Sequence, residues 1–324
     1  MPEQKKNWGS TFGEMFLKDY PVRETEKRQV LSLDDSSRIY ICRLWDGIYL
    51  WANEVHSSHI AYPEYDFQQL EYTVINICHA GRCEIEMRDD SYIYMTPGLL
   101  NVNNLIPKDG YHYPGSFYEG IEVALNLRIL RKHMPAELSS FGMTLEALEQ
   151  YLETGNGNYM ANVVDMAMQR SRALYERLKA GDLSIQDYRF LTVSLLYYLK
   201  NGEAARIRNQ SMVTKGQRRI AVEAEQLLTE DYRKHYSVEE LSRRYGVSPS
   251  AFKKYFEAVF GAPVSYYLRE KRMKKAMEML AASDASVGET AAVCGYENQS
   301  KFGAVFKSCT GVSPLEYRRL HRTV

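Results

Sequence analysis

An internal repeat near the C-terminus constrains the fold of this chain more than any other feature. The segment SAFKKYFEAVFG at 250–261 overlays SKFGAVFKSCTG at 300–311, an offset of 50 residues. Upstream, SVEELSRRYG at 237–246 overlays SVGETAAVCG at 286–295, an offset of 49 residues. Each half therefore predicts a short helix, a glycine turn and a second helix, which is the helix-turn-helix pattern.

The second helix of each half is predicted to bury one face and expose the other. Ser248 and Pro249 mark the start of the first such helix, because serine caps free N–H groups and proline fits the first helical position. Asn298 is the predicted cap of the second. Helical spacing predicts the buried residues Phe252, Tyr255, Phe256 and Val259, then Phe302, Val305, Phe306 and Cys309. The predicted exposed residues are Ser250, Lys253, Lys254 and Glu257, then Gln299, Ser300, Lys301, Gly303, Ala304 and Lys307.

A longer helix is predicted between the two halves, over VSYYLREKRMKKAMEML at 264–280. Its apolar face carries Val264, Tyr267, Leu268, Met273, Ala276, Met277 and Leu280. Its other face carries Arg269, Lys271, Arg272, Lys274 and Lys275. Such a helix spans roughly 25 Å. With its flanking elements it would separate the two second helices by about 34 Å, which is one turn of DNA.

The charge distribution also points to the C-terminal part. The chain has a net charge of zero, but residues 215–324 hold 19 Lys and Arg against 13 Asp and Glu. That segment is therefore +6 and the rest is −6. A basic segment beside an acidic body favours contact between that segment and a polyanion, although chance variation in charge is the alternative.

Three motifs together make residues 215–324 resemble the DNA-binding domain of the AraC/XylS family of bacterial transcription regulators. They are LSRRYGVSPSAFKKYFEAVFG, REKRMKKAMEML and GYENQSKFGAVFKSCTGVSPLEYRR, in that order. The resemblance implies sequence-specific binding to double-stranded promoter DNA, contact with RNA polymerase, and control by a ligand or partner at the N-terminal part.

The resemblance also implies which residues read bases. The family's base-reading positions correspond to Ser250, Lys253 and Lys254 in the first half and to Gln299, Ser300, Lys301 and Ala304 in the second, with Lys307 on the same face. Lysine can donate to guanine and glutamine can pair with adenine. Family members often have arginine at Ala304 and a basic residue at Ser308, which weakens the expectation of guanine reading here. Gly303 and Ala304 would instead allow close approach, with Ala304 touching a thymine methyl.

The N-terminal part is predicted to form short strands. The run YTVINICHAGRCEIEMRDDSYIYMTPGLLNVNN at 72–104 alternates apolar and polar residues, with turns predicted at 79–82, 88–91 and 96–98. A further strand is predicted over 118–127, which favours a small barrel or sandwich. Helices are predicted over 158–181 and 184–202. The family resemblance implies a cupin-type barrel followed by helices that dimerise, although Leu99 stands where that barrel usually has an acidic residue.

The predicted fold class is α+β, with a cupin-like small β-barrel and following helices, then an all-α domain of two helix-turn-helix units joined by a long helix. The predicted domains are a sensor or ligand-binding barrel at 1–135, a helical dimerisation region at 136–204, a linker at 205–216 and a DNA-binding domain at 217–324.

A small-molecule pocket is predicted in the barrel. Alternation places Asn76 and Cys78 on one face of a strand, and Trp45, Trp51 and Tyr94 supply aromatic surface. Filling a core is the alternative role for these aromatic residues. His56 and His59 lie three residues apart and would point to opposite faces of a strand, so no metal site is predicted. No catalytic residue or cofactor is predicted either.

The five scattered cysteines favour reduced thiols in a cytosolic protein, and no apolar run predicts a membrane span or a secretory signal. The chain is therefore predicted to be a cytoplasmic, homodimeric, DNA-binding transcription regulator controlled by a small-molecule effector, and not an enzyme. Three alternatives remain: an N-terminal domain that binds a protein partner or a metal, a DNA binder without sequence preference, and an enzyme in the barrel.

Overall fold

Two compact units make up the chain in a computed structural model, residues 1–212 and 213–324. The structure describes residues 21–25, 27–61, 72–87, 90–104, 107–154, 158–163, 165–201, 204–206 and 213–322. Half of the predicted linker at 205–216, residues 207–212, lies outside these residues. Within the described part of the chain, no helix is both long and apolar enough to cross a membrane.

The first unit consists mainly of antiparallel strands. In chain order they are β1 (Val22–Glu24), β2 (Gln29–Ser32), β3 (Arg38–Trp45), β4 (Ile48–Val55), β5 (His59–Ala61), β6 (Tyr72–Gly81), β7 (Cys83–Met87), β8 (Ser91–Met95), β9 (Leu99–Asn103), β10 (Pro107–His112), β11 (Tyr118–Asn126), β12 (Asn158–Val163) and β13 (Ala204–Arg206). Its helices are α1 (Leu127–Leu130), α2 (Ala136–Ser140), α3 (Leu145–Thr154), α4 (Asp165–Ala180) and α5 (Ile185–Lys200).

Nine of these strands form one sheet in the order β1-β2-β3-β4-β11-β6-β9-β12-β13. In a second sheet, β8, β7, β10 and β5 lie side by side in that order. One face of the large sheet packs against α4 and α5, through side chains such as Ile75, Ile121 and Leu174. We call this the helix-facing side of the sheet.

The opposite side of the large sheet faces the second sheet. An apolar cluster joins Val55, Cys78 and Tyr118 of the large sheet to Ile85 and Ile93 of the second. We call this the inner side. The two sheets with their helices, followed by the helical second unit, confirm the predicted α+β class.

Two local predictions in this unit are wrong. The helix predicted over 158–181 begins only at Asp165, because Asn158–Val163 form β12, which pairs with β9 and extends the large sheet. The predicted hairpin turn at 79–82 joins strands that do not pair, since β6 belongs to the large sheet and β7 to the second. The hairpin predicted around 88–91 is confirmed by the pairing of β7 with β8, in which Cys83 lies opposite Met95.

The second unit is helical apart from a short strand at its start. Its elements are β14 (Val213–Thr214), α6 (Lys215–Glu230), α7 (Val238–Arg244), α8 (Pro249–Phe260), α9 (Val264–Ala282), α10 (Val287–Val293), α11 (Gln299–Thr310) and α12 (Pro314–His321). Capping residues explain where several of these helices begin. Ser237 with Glu240, and Ser286 with Glu289, form capping boxes at α7 and α10, in which each side chain bonds the other residue's backbone N–H.

The sequence repeat is confirmed as a structural repeat. In the turn of the first half, Val247 N–H donates to the Ser242 carbonyl at 3.0 Å, and in the second half Tyr296 N–H donates to the Ala291 carbonyl at 2.9 Å. Gly246 and Gly295 have φ of 65° and 77° in these turns. A Cβ atom on Gly295 would lie 2.0 Å from the Tyr232 carbonyl oxygen, so only glycine fits there.

Candidate functional site

Helix α8 is held in place by its apolar face. Ser248 Oγ accepts from Ala251 N–H at 3.2 Å and Pro249 occupies the first turn, as predicted. Phe252 and Phe256 are fully buried and Val259 nearly so, whereas Tyr255 is only half-buried. Gly261 ends the helix with φ of 75°. The opposite face is therefore fixed in orientation toward solvent.

The exposed face of α8 carries Ser250, Lys253, Lys254 and Glu257. Within the described residues, no carboxylate lies within ion-pair distance of Lys253 or Lys254. Arg243 and Arg244, at the end of α7, are also exposed. This face thus offers unpaired cationic groups that a polyanion can neutralise.

Helix α11 repeats this arrangement with less charge. Asn298 Oδ1 accepts from Lys301 N–H at 2.9 Å, and Phe302 and Phe306 are fully buried. The exposed residues are Gln299, Ser300, Lys301, Ala304 and Lys307. Cys309, predicted to be buried, is exposed, because the apolar cluster beneath this helix ends at Phe306.

Gly303 sits in the middle of α11, where packing does not require a glycine. A Cβ atom built at Gly303 would meet nothing within 4 Å. The side chain of Gln299 lies near Gly288 of α10, because a Cβ atom built there would be 3.2 Å from Gln299 Oε1. The face of α11 is therefore open at its centre and close to α10 at its start.

Helix α9 connects the two halves through two apolar clusters. Val264, Tyr267 and Leu268 pack with α8, whereas Met273, Ala276 and Leu280 pack with α11. The predicted apolar face of this helix is confirmed. Of the predicted basic face, Arg269, Lys274 and Lys275 are exposed.

Arg272 departs from that prediction, since it is half-buried between the two halves. Its Nη2 donates to the Tyr232 carbonyl at 2.8 Å, and its guanidinium lies 5.8 Å from the Tyr296 ring centre. Burial lowers the pKa of Arg272. Helical periodicity could not reveal this role, because it depends on a loop 40 residues away.

The predicted ligand residues of the first unit lie in three different places. Trp51, Asn76 and Cys78 lie on the inner side of the large sheet. Trp45 instead packs beside α5, where Arg189 stacks 5.0 Å from its ring centre. Tyr94 lies on β8 with the Arg82 guanidinium 4.7 Å from its ring. Its strand neighbours Ile93 and Met95 belong to the inner cluster, so the Tyr94 side chain points away from it.

Sequence reasoning missed several polar residues on the inner side, among them Asn53 and Glu122. The strand neighbours of Glu122, Ile121 and Val123, face the helices, so the period of two that placed Asn76 also indicates this residue. Burial raises the pKa of Glu122 to about 7, which its hydrogen bond with Asn53 partly opposes. Burial also raises the pKa of the Cys78 thiol to about 12, so this cysteine stays protonated.

The histidines considered as metal ligands do not converge on one ion. His59 and His112 lie opposite each other on β5 and β10, with ring centres 4.5 Å apart. Among the described residues, no group of three or more His, Cys, Asp and Glu side chains is arranged to hold a metal.

The second unit is thus a pair of helix-turn-helix motifs that share a connecting helix. Comparison with known proteins agrees: a family model described as “Helix-turn-helix domain” matches residues 241–320. The C-terminal unit is therefore a helix-turn-helix domain, as its sequence resemblance to the AraC/XylS family implies.

Two relatives match between a quarter and a third of this chain. The HTH-type transcriptional activator RhaR of Pectobacterium atrosepticum is 34% identical over 84 residues, which are 26% of this chain and 30% of that protein. The uncharacterized HTH-type transcriptional regulator YisR of Bacillus subtilis is 28% identical over 102 residues, which are 32% of this chain and 36% of that protein. The matches thus cover about a third of the length of these relatives.

One solved structure covers a similar share of this chain. The C-terminal domain of AraT, a response regulator from Geobacillus stearothermophilus, is 28% identical with a TM-score of 0.31. The match covers 32% of this chain and 88% of that domain.

Proposed function

We propose that this chain is a sequence-specific DNA-binding transcription regulator, in which α8 and α11 enter major grooves of promoter DNA. The observation that carries the proposal is the repetition of one exposed helix face, at the same place in two helix-turn-helix units. The likeness to RhaR, a transcriptional activator that is 34% identical over 84 residues, supports the same assignment.

Helices α8 and α11 would make different kinds of contact with DNA. Lys253 and Lys254 supply most of the charge, so they anchor the protein on phosphates and guanine edges. Gln299, Ser300 and Lys301 make polar contacts at the start of α11, and Ala304 touches a thymine methyl. Ser250 and Lys307 complete the two faces. RNA polymerase is the partner that such a promoter-bound regulator would contact.

The first unit would receive a small-molecule effector and bias DNA binding. Only an effector that binds one state of the regulator more tightly than another can shift that equilibrium. The inner side of the large sheet, with Trp51, Asn76 and Cys78, is the surface proposed for that effector. A second copy of the chain would join through the helices after the sheets.

Lys253→Ala and Lys254→Ala test the DNA interface. Loss of a phosphate or base contact should weaken binding to a selected operator by about 10-fold or more, since such contacts contribute about 1–3 kcal/mol. Fluorescence anisotropy at fixed salt would measure this. Lys132→Ala, an exposed lysine of the first unit, is the matched control. Unchanged affinity for both α8 variants would exclude this face from the interface.

Site selection from a random DNA pool separates this function from a DNA binder without sequence preference. The proposal requires a recurrent sequence among selected fragments. Recovery of fragments with no shared sequence would favour the architectural alternative.

A further inference from the structure

A row of polar side chains crosses the inner side of the large sheet. Trp51 of β4 lies directly opposite Glu122 of β11, Glu122 lies opposite Asn76 of β6, and Asn76 lies opposite Asn101 of β9. Apolar clusters flank this row on both sides: one contains Ile41, Tyr49 and Ala124, and the other contains Cys78, Ile85 and Tyr118. A charged group in such surroundings is costly to maintain.

Hydrogen bonds orient the Glu122 carboxylate. Its Oε1 accepts from Asn53 Nδ2 at 2.9 Å and from Asn76 Nδ2 at 2.9 Å. Tyr118 O–H in turn donates to Asn76 Oδ1 at 2.9 Å, which fixes the Asn76 amide. Both amide donors thus serve the same oxygen.

The second carboxylate oxygen, Oε2, receives no donor from the described residues. No described lysine, arginine or histidine pairs with Glu122, although the residue keeps partial solvent exposure. A carboxylate in apolar surroundings is stable only when a positive charge or further donors compensate it. Among the described residues, no side chain supplies a positive charge to this carboxylate, so a cationic ligand would complete its pairing.

Aromatic surface lies next to Glu122 in the strand register. Trp51 is the direct register neighbour of Glu122, and neighbouring side chains on paired strands lie about 5 Å apart. An indole face attracts organic cations through its quadrupole. The carboxylate and the indole together would suit a ligand that combines a cationic nitrogen with an apolar body.

We propose that Glu122, Asn53, Asn76 and Trp51 bind a small organic ammonium ion, with its cationic nitrogen at Glu122 Oε2 and its apolar body toward Trp51. This inference rests on the proposed function, because it names the class of effector that the first unit would receive. A neutral polyol and a carboxylate are the competing classes, and an inorganic cation is a third.

Thermal unfolding of the full chain with matched four-carbon probes tests the assignment. Butane-1,4-diamine and tetramethylammonium should raise the midpoint by about 2–4 °C or more at saturating concentration. Butane-1,4-diol and succinate should not raise it. Isothermal titration with the diamine should give a saturable isotherm for the same samples.

Glu122→Gln keeps the size and hydrogen bonds of the side chain and removes its charge. This variant should fold and lose the response to ammonium probes. Glu119→Gln, on the same strand, is the matched control and should keep the response. An equal diamine response in Glu122→Gln would overturn the site, as would the absence of any response to either ammonium probe.

Two further outcomes would overturn the ligand class. One is a Glu122-dependent shift with the diol, and the other is such a shift with MgCl₂ but not with the amines. Operator binding, measured separately, distinguishes the two proposals. If the parent chain selects a recurrent DNA sequence but does not respond to the ammonium probes, only this inference is overturned. If it shows a Glu122-dependent response to those probes but selects no recurrent DNA sequence, only the proposed function is overturned.

Discussion

Glu122 gives the first unit a stability that depends on pH. Its pKa in the folded protein, about 7, lies above the ordinary value of 4.5. The folded state therefore holds this proton more tightly than the unfolded state. The contribution to stability is greatest below pH 4.5, falls as the pH rises toward 7, and is constant above that.

Glu122→Gln should remove this dependence. We expect the variant to be more stable than the parent chain at pH 8 by on the order of 3 kcal/mol, because one pKa unit corresponds to about 1.4 kcal/mol. The difference should shrink toward pH 5. Thermal or urea unfolding across this range measures the difference. A difference independent of pH would show that the pKa of Glu122 is not raised in the folded protein.

Gly303 is a second residue whose role can be tested by a small change. Gly303→Ala should stabilise α11 by about 1 kcal/mol, because alanine favours helix and the added methyl meets nothing within 4 Å. Since the same methyl would stand on the face proposed to meet DNA, operator affinity should fall while the unfolding midpoint rises. A variant that is more stable and binds equally well would remove Gly303 from the interface.

At the scale of elements, Arg272 links the two helix-turn-helix halves. Arg272→Met keeps the length of the side chain but loses the hydrogen bond to the Tyr232 carbonyl and the stacking on Tyr296. Bonds from charged groups contribute about 1.5–3 kcal/mol, so the second unit should be destabilised by a similar amount.

The same variant should also loosen the spacing between α8 and α11. Affinity for operators whose two half-sites are moved apart or together by one base pair should fall less steeply than for the parent chain. Lys274→Met, on the exposed face of the same helix, is the control and should leave both stability and spacing preference unchanged. Equal stability and equal spacing preference in the two variants would show that Arg272 does not link the two halves.

The helices were largely predictable from the sequence, for a physical reason. Ser237, Ser248 and Asn298 cap their own helices, and the spacing of Phe252 and Phe256 encodes the buried face locally. By contrast, β12 was mistaken for helix because its pairing with β9 is set by a partner distant in sequence. The same limit hid the role of Arg272, whose partner Tyr232 lies 40 residues away. The position of Glu122 follows from strand alternation, but its bonds to Asn53 and Asn76 depend on two other strands. Which residues of the candidate DNA-binding face touch DNA stays a prediction.

At the scale of the whole molecule, exposed aromatic residues point to self-association. Phe190 and Tyr197 lie seven residues apart on α5 and are 67% and 41% exposed, and Phe141 makes an edge contact with the Tyr197 ring. Such a stripe suits burial against a second copy of the chain, which is the arrangement proposed for the homodimer.

Phe190→Glu should therefore shift the chain toward monomer, because a buried charge at an interface is costly without a partner. Sedimentation velocity at micromolar concentration measures the change. Gln186→Glu, an exposed polar position one turn earlier on the same helix, is the control. A parent chain that is already monomeric, or a Phe190→Glu dimer as tight as the parent, would contradict this role for α5.

Helix α9 contributes to both apolar clusters of the second unit, and this sharing has a thermodynamic consequence. Loosening of either cluster would fray one end of the helix on which the other depends, so the two halves should open together rather than independently. Amide protons in α8 and α11 should then exchange with solvent at similar free energies of opening. A substitution in the apolar cluster beneath α8 would therefore also lower the stability of α11, and the reverse. The two halves would then form a single cooperative folding unit.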